Sequence, residues 1–331
     1  MDVKLGFPGA VGGTPLVRIE SLSRETGCTI LGKAEHMNPG GSVKDRAAKL
    51  LVERAERDGK LRSGVVVEGT AGNTGIGLAL MCRARGYRCV IVMPNNQSEE
   101  KISLLRVLGA EVELTAPVPF ADPANYYHRA KARAEELGAF WANQFENTAN
   151  ADAHFEGTGP EIWSQTGGAI DGFVCSSGTG GTIGGVTSFL KAKAPGVQCY
   201  VVDCGGSSLY SQVTAGTLDA EGTSFLEGIG IRRITANFAR AKLDGAVRGT
   251  DQEAVEMVHW LLRHDGLFVG GSAGLNCAGA VKLARKLGKG KTIVTILADG
   301  AQRYQSWLFN DEWLRSQGVA PTGAHTLEFV T

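Results

Sequence analysis

The chain has 331 residues, of which 43% are hydrophobic and 21% are charged, an ordinary composition for a globular protein long enough to form two domains. Its 34 basic and 34 acidic residues cancel, so the overall charge gives no reason to expect nucleic acid or an anionic membrane as a partner. No apolar run approaches the length that crosses a bilayer, and the first ten residues lack the apolar core of a secretory signal, so we expect a cytoplasmic protein.

Short β-branched runs alternate with amphipathic stretches along the chain. The predicted strands are residues 65–68, 88–93, 111–114, 172–175, 198–203, 267–270 and 292–297. The predicted helices are one that begins near Lys44 and residues 74–85, 98–108, 124–137, 155–164, 182–193, 252–264 and 273–287. Apolar strands separated by helices predict an α/β fold with parallel sheets, whose ligands bind at the carboxyl ends of the strands.

Glycine is in excess, and the cysteines are scattered. The 46 glycines are about twice the usual share, and many cluster where predicted strands lead into helices, which indicates close approach of the backbone to a ligand. The seven cysteines form no C-x-x-C pair, so buried reduced thiols are expected. The six histidines show no metal-ligand spacing, and we predict no metal site.

The first motif is N-P-G-G-S-V-K-D-R at residues 38–46, where a helix is predicted to begin. The pattern makes Ser42 the expected N-cap, with Asp45 three residues later. A capped helix with a surface lysine explains this run. Alternatively, the positive end of the helix dipole lowers the pKa of Lys44, which suits a lysine that forms a Schiff base.

The second motif is E-G-T-A-G-N-T-G-I-G at residues 68–77, between a predicted strand and a predicted helix. Backbone N–H groups at such a helix start bind a carboxylate or a phosphate. A tight glycine turn is the simpler interpretation. Thr70, Asn73 and Thr74 add side-chain hydrogen bonds that a turn alone would not need, which favours a ligand site.

The third motif is S-S-G-T-G-G-T-I-G-G at residues 176–185, again between a strand and a helix, and it predicts a phosphate-binding loop. The residues of this loop are Gly178, Thr179, Gly180, Gly181 and Thr182. The dinucleotide fingerprint G-x-G-x-x-G fails because Ile183 stands at a glycine position. Because Asp203 supplies a following acidic residue, a non-catalytic nucleotide-binding module stays open as an alternative.

The fourth motif is G-G-S-A-G at residues 270–274, which matches the G-x-S-x-G turn of serine hydrolases. Asp299 and His325 follow Ser272 in the order that such hydrolases use. His325 lies in a polar stretch, however, and no H-G-G-G segment supplies an oxyanion hole. A serine hydrolase that uses Ser272 is therefore the alternative enzyme class.

Taken together, these motifs resemble the cysteine synthase family, the fold-type-II pyridoxal-phosphate (PLP) enzymes that include O-acetylserine sulfhydrylase and the catalytic core of cystathionine β-synthase. The resemblance runs from G-G-T-P-L at residues 12–16 to D-G at residues 299–300. It implies two α/β domains with parallel twisted sheets flanked by helices, similar to the tryptophan synthase β chain. The implied smaller, mobile domain is 36–149, the larger one combines 13–35 with 150–331, and PLP lies in the cleft between them.

The resemblance also implies a role for each motif. Lys44 matches the lysine that forms the Schiff base with PLP, Asn73 would bind the ring hydroxyl, the 178–182 loop would hold the phosphate, and Ser272 would face the pyridine nitrogen. The residues implied to bind the substrate are Thr70, Gly72, Thr74 and Gln144. The chain departs from the family at Ala71, where serine is usual, and at residues 232–235, which would tune the second substrate.

The activity implied by the resemblance is PLP-dependent β-replacement, forming L-cysteine from O-acetylserine and sulfide. Cystathionine β-synthase and S-sulfocysteine synthase are the alternatives within the family, and the lack of a C-terminal regulatory extension favours cysteine synthase. The implied partners are an amino-acid substrate and sulfide or a thiol. A homodimer is the habit of the family, and no nucleic-acid or membrane partner is expected.

Overall fold

The computed structural model describes residues 3–331, which form two sheets covered by helices. The strands are β1 (Leu16–Arg18), β2 (Thr29–Ala34), β3 (Val65–Gly69), β4 (Arg88–Pro94), β5 (Glu111–Thr115), β6 (Phe140–Trp141), β7 (Gly172–Cys175), β8 (Gln198–Asp203), β9 (Gly245–Arg248) and β10 (Thr292–Leu297). The helices are α1 (Gly6–Ala10), α2 (Glu20–Thr26), α3 (Lys44–Arg57), α4 (Asn73–Arg85), α5 (Glu99–Val107), α6 (Tyr126–Glu136), α7 (Ala149–Ala153), α8 (Gly159–Gln165), α9 (Gly181–Lys193), α10 (Leu209–Ala215), α11 (Asp251–Asp265), α12 (Gly271–Leu287), α13 (Gln305–Leu308) and α14 (Asp311–Ser316). A π-helical turn, His154–Thr158, joins α7 to α8.

The larger sheet has the strand order β1-β2-β10-β7-β8-β9. Its strands are parallel except β1, which pairs antiparallel with β2 at the edge. The central strand β10 is apolar along almost its whole length, and Ile293, Val294, Ile296 and Leu297 are buried. A parallel strand covered by helices on both faces has this composition.

The smaller sheet has the order β5-β4-β3-β6, and all its pairs are parallel. Helices α3 and α4 pack against each other and contribute Leu51 and Leu78 to a core that also holds Val66 and Ile91 from the strands. This packing fixes the start of α3 and the loop that leads from β3 into α4.

The predicted fold class is confirmed, because two α/β units with parallel sheets flanked by helices are present. The predicted domain limits, 36–149 against 13–35 and 150–331, stay a prediction. The seven cysteines are buried and form no disulfide, as expected. Within residues 3–331, no helix combines the length and apolarity needed to cross a bilayer.

Two predicted elements are wrong in detail. Residues 267–270 form no strand, because their only bridge joins Val269 to Gly300, outside the large sheet. The helix predicted at 155–164 begins instead as the π-helical turn His154–Thr158. Such turns are frequent at functional sites, and this one contacts the site described next.

Candidate active site

A cavity of about 680 Å³ lies where the loops of both sheets meet, a typical volume for a small-molecule site. It is bordered by segments that follow β3, β7 and β10, as expected for carboxyl ends of parallel strands. The structure brings every predicted site residue to its wall. These are Lys44, Thr70, Gly72, Asn73, Thr74, Gln144, Gly178, Thr179, Gly180, Gly181, Thr182 and Ser272.

Lys44 is the first residue of α3, and its surroundings suit a reactive amine. Within residues 3–331 its ammonium group makes no hydrogen bond or ion pair. Burial lowers the pKa of Lys44, and the charge of Asp299 raises it in part. A lysine with a lowered pKa has a larger neutral fraction, the form that attacks a carbonyl carbon.

The prediction that Ser42 caps α3 is wrong. Val43 occupies the N-cap position without a side-chain hydrogen bond. Ser42 lies one residue earlier, because its backbone forms a bridge with Asp299, and its Oγ accepts a 3.2 Å hydrogen bond from the backbone N–H of Lys44. The lysine is therefore placed by pairing with the segment after β10 rather than by a capping box.

The glycines of the 178–182 loop leave no room for side chains. A Cβ on Gly178 would lie 2.2 Å from the carbonyl oxygen of Gly228, and one on Gly181 would lie 1.9 Å from Oδ1 of Asn150. Gly180 has a φ of +87°, in the left-handed region. The loop therefore brings its backbone N–H groups to the start of α9, where the helix dipole favours an anion.

The polar side chains of this loop give independent support for an anionic ligand. Ser177 Oγ is buried and has no hydrogen-bond partner in the described part of the chain. Thr182 Oγ1 lies 3.2 Å from Nε2 of His154, on the π-helical turn. Because a buried hydroxyl without a partner is costly, a phosphate oxygen fits the space beside Ser177.

Gln144 and the substrate loop are joined directly. Thr74 Oγ1 donates a 2.6 Å hydrogen bond to Oε1 of Gln144. Asn150 Nδ2 donates to the Gln144 carbonyl at 2.8 Å and to Thr179 Oγ1 at 2.9 Å, so one amide links the substrate loop to the phosphate loop. The Glu68 carboxyl accepts a hydrogen bond from the backbone N–H of Gln144. Burial raises the pKa of Glu68 to about 8, although hydrogen bonds from residues 143 and 144 lower it in part.

The hydrolase interpretation of Ser272 lacks its catalytic base. Ser272 lines the cavity near the start of α12, but His325 is exposed and outside the lining. No histidine among the described residues lines this cavity. Asp299, the third member of the supposed triad, accepts instead from Asn73 and Tyr304. A serine hydroxyl without an adjacent base is a weak nucleophile.

Sequence reasoning missed several polar residues that hold the site together. Asn237 Nδ2 donates to the carbonyls of Gln144 and Phe145, and Asn276 Oδ1 accepts from the backbone N–H of Ser176 at 2.6 Å. The sequence could have identified Asn276, because it follows Ser272 by four residues and so lies on the same face of the helix. Asn237 lies in an irregular segment without a period, and no pattern points to it.

Fold and site together define an α/β enzyme in which a buried lysine and a phosphate-binding loop share one cavity. A family profile described as pyridoxal-phosphate dependent enzyme matches residues 8–299. The chain belongs to this family, so PLP is its cofactor and the predicted resemblance is confirmed.

Individual relatives agree with this assignment. The chain is 53% identical over 321 residues to cysteine synthase 1 of Emericella nidulans, covering 95% of this chain and 87% of that protein. It is 48% identical over 339 residues to the cysteine synthase of Dictyostelium discoideum, covering 98% and 89%. The crystal structure of O-acetylserine dependent cystathionine beta-synthase from Helicobacter pylori matches with a TM-score of 0.83 and 32% identity, covering 92% of this chain and 98% of that one.

Proposed function

We propose that this enzyme forms L-cysteine from O-acetylserine and sulfide by β-replacement. The observation that carries the proposal is Lys44, an unpaired lysine of lowered pKa that shares a cavity with a glycine loop suited to phosphate. The high identity to two proteins named cysteine synthase supports this choice over other PLP chemistry.

The residues present fit PLP. Lys44 would carry the cofactor aldehyde, and the 178–182 loop with Ser177 would hold its phosphate. Asn73 would donate to the ring hydroxyl, and Ser272 would hydrogen-bond the pyridine nitrogen. Bound PLP supplies the electron sink for breaking the bond between Cα and its proton.

The chain's own residues bind the amino acid and move its proton. Thr70, Thr74 and Gln144 would hold the substrate carboxylate, together with backbone N–H groups at the start of α4. Neutral Nζ of Lys44 would take the proton from Cα, and acetate would leave from Cβ. The sulfur of sulfide would then bond to Cβ, and Lys44 would return a proton to Cα.

A steady-state comparison of purified, PLP-loaded protein tests the substrate pair. O-acetylserine plus sulfide is expected to give the highest kcat/KM. Faster formation of cystathionine from serine and homocysteine would replace the proposal with cystathionine β-synthase. Faster formation of S-sulfocysteine from thiosulfate would replace it with S-sulfocysteine synthase.

The proposal extends to the assembly of the molecule. The smaller sheet lies within residues 36–149, and this segment would close over the amino acid against residues 13–35 and 150–331. We also propose that the enzyme is a homodimer and that it is located in the cytoplasm. Light scattering on purified protein tests the dimer, which a monomeric mass would contradict.

Replacing Gln144 with alanine is expected to weaken O-acetylserine binding by about tenfold or more, because a hydrogen bond to a charged group contributes about 1.5–3 kcal/mol. PLP should stay bound, since the 178–182 loop is unchanged. Titration of the cofactor absorbance with O-acetylserine measures the effect. Gln97→Ala, at the cavity wall outside the predicted site, is the control. A Gln144→Ala protein that titrates like the parent would place the carboxylate elsewhere.

Replacing Ser272 with alanine is expected to retain PLP and to lose only part of the activity, because a neutral hydrogen bond contributes about 1 kcal/mol net. Ser272→Asp should reduce activity further, since a carboxylate favours a protonated ring nitrogen and disturbs the start of α12. Kinetics and cofactor absorbance measure both variants. Stoichiometric labelling of Ser272 by a fluorophosphonate, in protein that takes up no PLP, would support the hydrolase instead.

A further inference from the structure

The segment that follows β10 surrounds Asn73 with polar groups that the proposed mechanism does not use. Asn73 Nδ2 donates a 2.7 Å hydrogen bond to Oδ2 of Asp299. The Arg303 guanidinium donates to Oδ1 of the same amide. Both ends of the Asn73 side chain are therefore engaged, and by partners of opposite charge.

These partners permit only one orientation of the amide. A guanidinium only donates and a carboxylate only accepts, so a flipped Asn73 would place N–H against N–H and oxygen against oxygen. An amide nitrogen carries two N–H groups, and Asp299 uses one of them. The Tyr304 hydroxyl also lies near this amide. A second N–H is left for a ligand acceptor in the cavity that Asn73 lines.

Contacts of its side chain and of its backbone fix the position of Asp299, so that it can orient the Asn73 amide. Its side chain is 2% exposed, and its Oδ2 also accepts from the hydroxyl of Tyr304. Its backbone pairs with Ser42, and its carbonyl accepts from the N–H of Gly270 at 3.0 Å. The carboxylate position is thus set by both the Lys44 turn and the start of α12.

Arg303 joins the amide to the turn before Lys44. Besides Asn73, its guanidinium donates to the carbonyl oxygen of Gly40. A Cβ on Gly41 would lie 2.9 Å from a terminal nitrogen of Arg303, so the glycine turn leaves the space that this side chain fills. The planar guanidinium donates to both partners at once, from its two terminal nitrogens. A lysine ammonium reproduces this geometry less well.

We propose that Asp299 and Arg303 are positioning residues that orient the Asn73 amide so that its second N–H faces the ring hydroxyl of the cofactor. The inference rests on the proposed function, and in particular on the role of Asn73 in holding PLP. Neither residue touches the reacting atoms in this scheme. They act by excluding the amide orientation that would turn oxygen toward the ring oxygen.

A double-mutant cycle tests this proposal. Arg303→Met removes the donors while keeping a long side chain, and we expect it to raise the dissociation constant of PLP by about fivefold to tenfold. It should also change the ratio of the near-ultraviolet to the yellow absorption band of bound PLP, which reports on the ring hydroxyl. In an Asn73→Ala background, the same substitution should change either quantity by less than about twofold.

Companion variants keep the test decisive. Asp299→Ala should behave like Arg303→Met, and Asp299→Asn, which retains an acceptor oxygen, should have a smaller effect. Gln305→Ala, on the same segment and exposed, is the control and should leave the band ratio unchanged. If Arg303→Met does not fold, Arg303→Lys enters the same cycle, with a smaller expected shift in the parent background.

Equal effects of the Arg303 or Asp299 substitutions with and without Asn73 would overturn the proposal, because the residues would then act independently of the amide. An unchanged band ratio in folded Arg303→Lys and Asp299→Ala proteins would overturn it as well. Failure of the proposed function is distinguishable, since it appears in the parent protein as no cysteine formed from O-acetylserine and sulfide.

Discussion

Replacement of Lys44 by alanine is expected to lower kcat/KM for cysteine formation by about 10³-fold or more, a loss typical of removing an essential proton-transferring group. Of the lysines that the structure describes, Lys44 alone lines the cavity, so no neighbour can substitute for it. Steady-state kinetics on PLP-loaded protein measure the effect. The Lys44→Ala protein should still fold, because the ammonium makes no hydrogen bond or ion pair within residues 3–331.

Borohydride reduction followed by peptide mass mapping identifies the PLP-bound lysine directly. A pyridoxyl group is expected on Lys44. Lys33 is the nearest lysine before Lys44 in the sequence, but it is buried and paired with Glu161 at 2.7 Å. Lys49→Ala, on the same helix but outside the cavity lining, is the matched control and should retain activity. A label on Lys33 or Lys49 would contradict the assignment of Lys44.

The sequence predicted the positions of the loops well, because their chemistry is local. The glycines of the 178–182 loop lie between a strand and a helix in the sequence, and close backbone contacts at Gly178 and Gly181 explain why glycine is needed there. The parallel strands β3, β4, β7, β8 and β10 each contain a short run of buried apolar residues, which is the pattern from which they were predicted.

The elements that were missed depend on tertiary contacts. Strand β2 contains Lys33, which breaks the apolar pattern. Its ammonium is buried because it pairs with Glu161 and donates to Gln165 and to the Thr14 carbonyl. Ser42 was placed as a cap by its spacing to Asp45, whereas its position is set by pairing with Asp299, which is remote in sequence. The partners of Asn73 likewise come from the segment after β10, and no local period connects them to it.

The buried ionic cluster of Arg46, Glu35 and Glu161, at the start of α3, gives the largest expected effect on the free energy of unfolding. Arg46 donates to both carboxylate oxygens of Glu35 at 2.7 and 2.8 Å and to both of Glu161 at 2.7 Å. Arg46 is 5% exposed and Glu35 is fully buried. Because removal of one partner leaves a buried charge uncompensated, Arg46→Ala should lower the free energy of unfolding by about 3–5 kcal/mol. Urea denaturation, followed by circular dichroism, measures this change.

An exposed ion pair is the control for the loss of one arginine charge. Arg88→Ala breaks the exposed pair with Glu111 and should lower the free energy of unfolding by less than about 1 kcal/mol.

The stability of the buried cluster should also depend on pH. Burial alone raises the pKa of Glu161, but hydrogen bonds from Arg46 and Lys33 and the charge of Arg46 outweigh it and bring the pKa from 4.5 to about 2. A depressed carboxyl pKa stabilises the fold above the unfolded value, and this contribution is lost as the pH falls from 4.5 toward about 2. The Arg46→Ala protein should lack much of that acid-dependent loss. Equal denaturation midpoints for Arg46→Ala and Arg88→Ala would show that the buried cluster does not stabilise the start of α3.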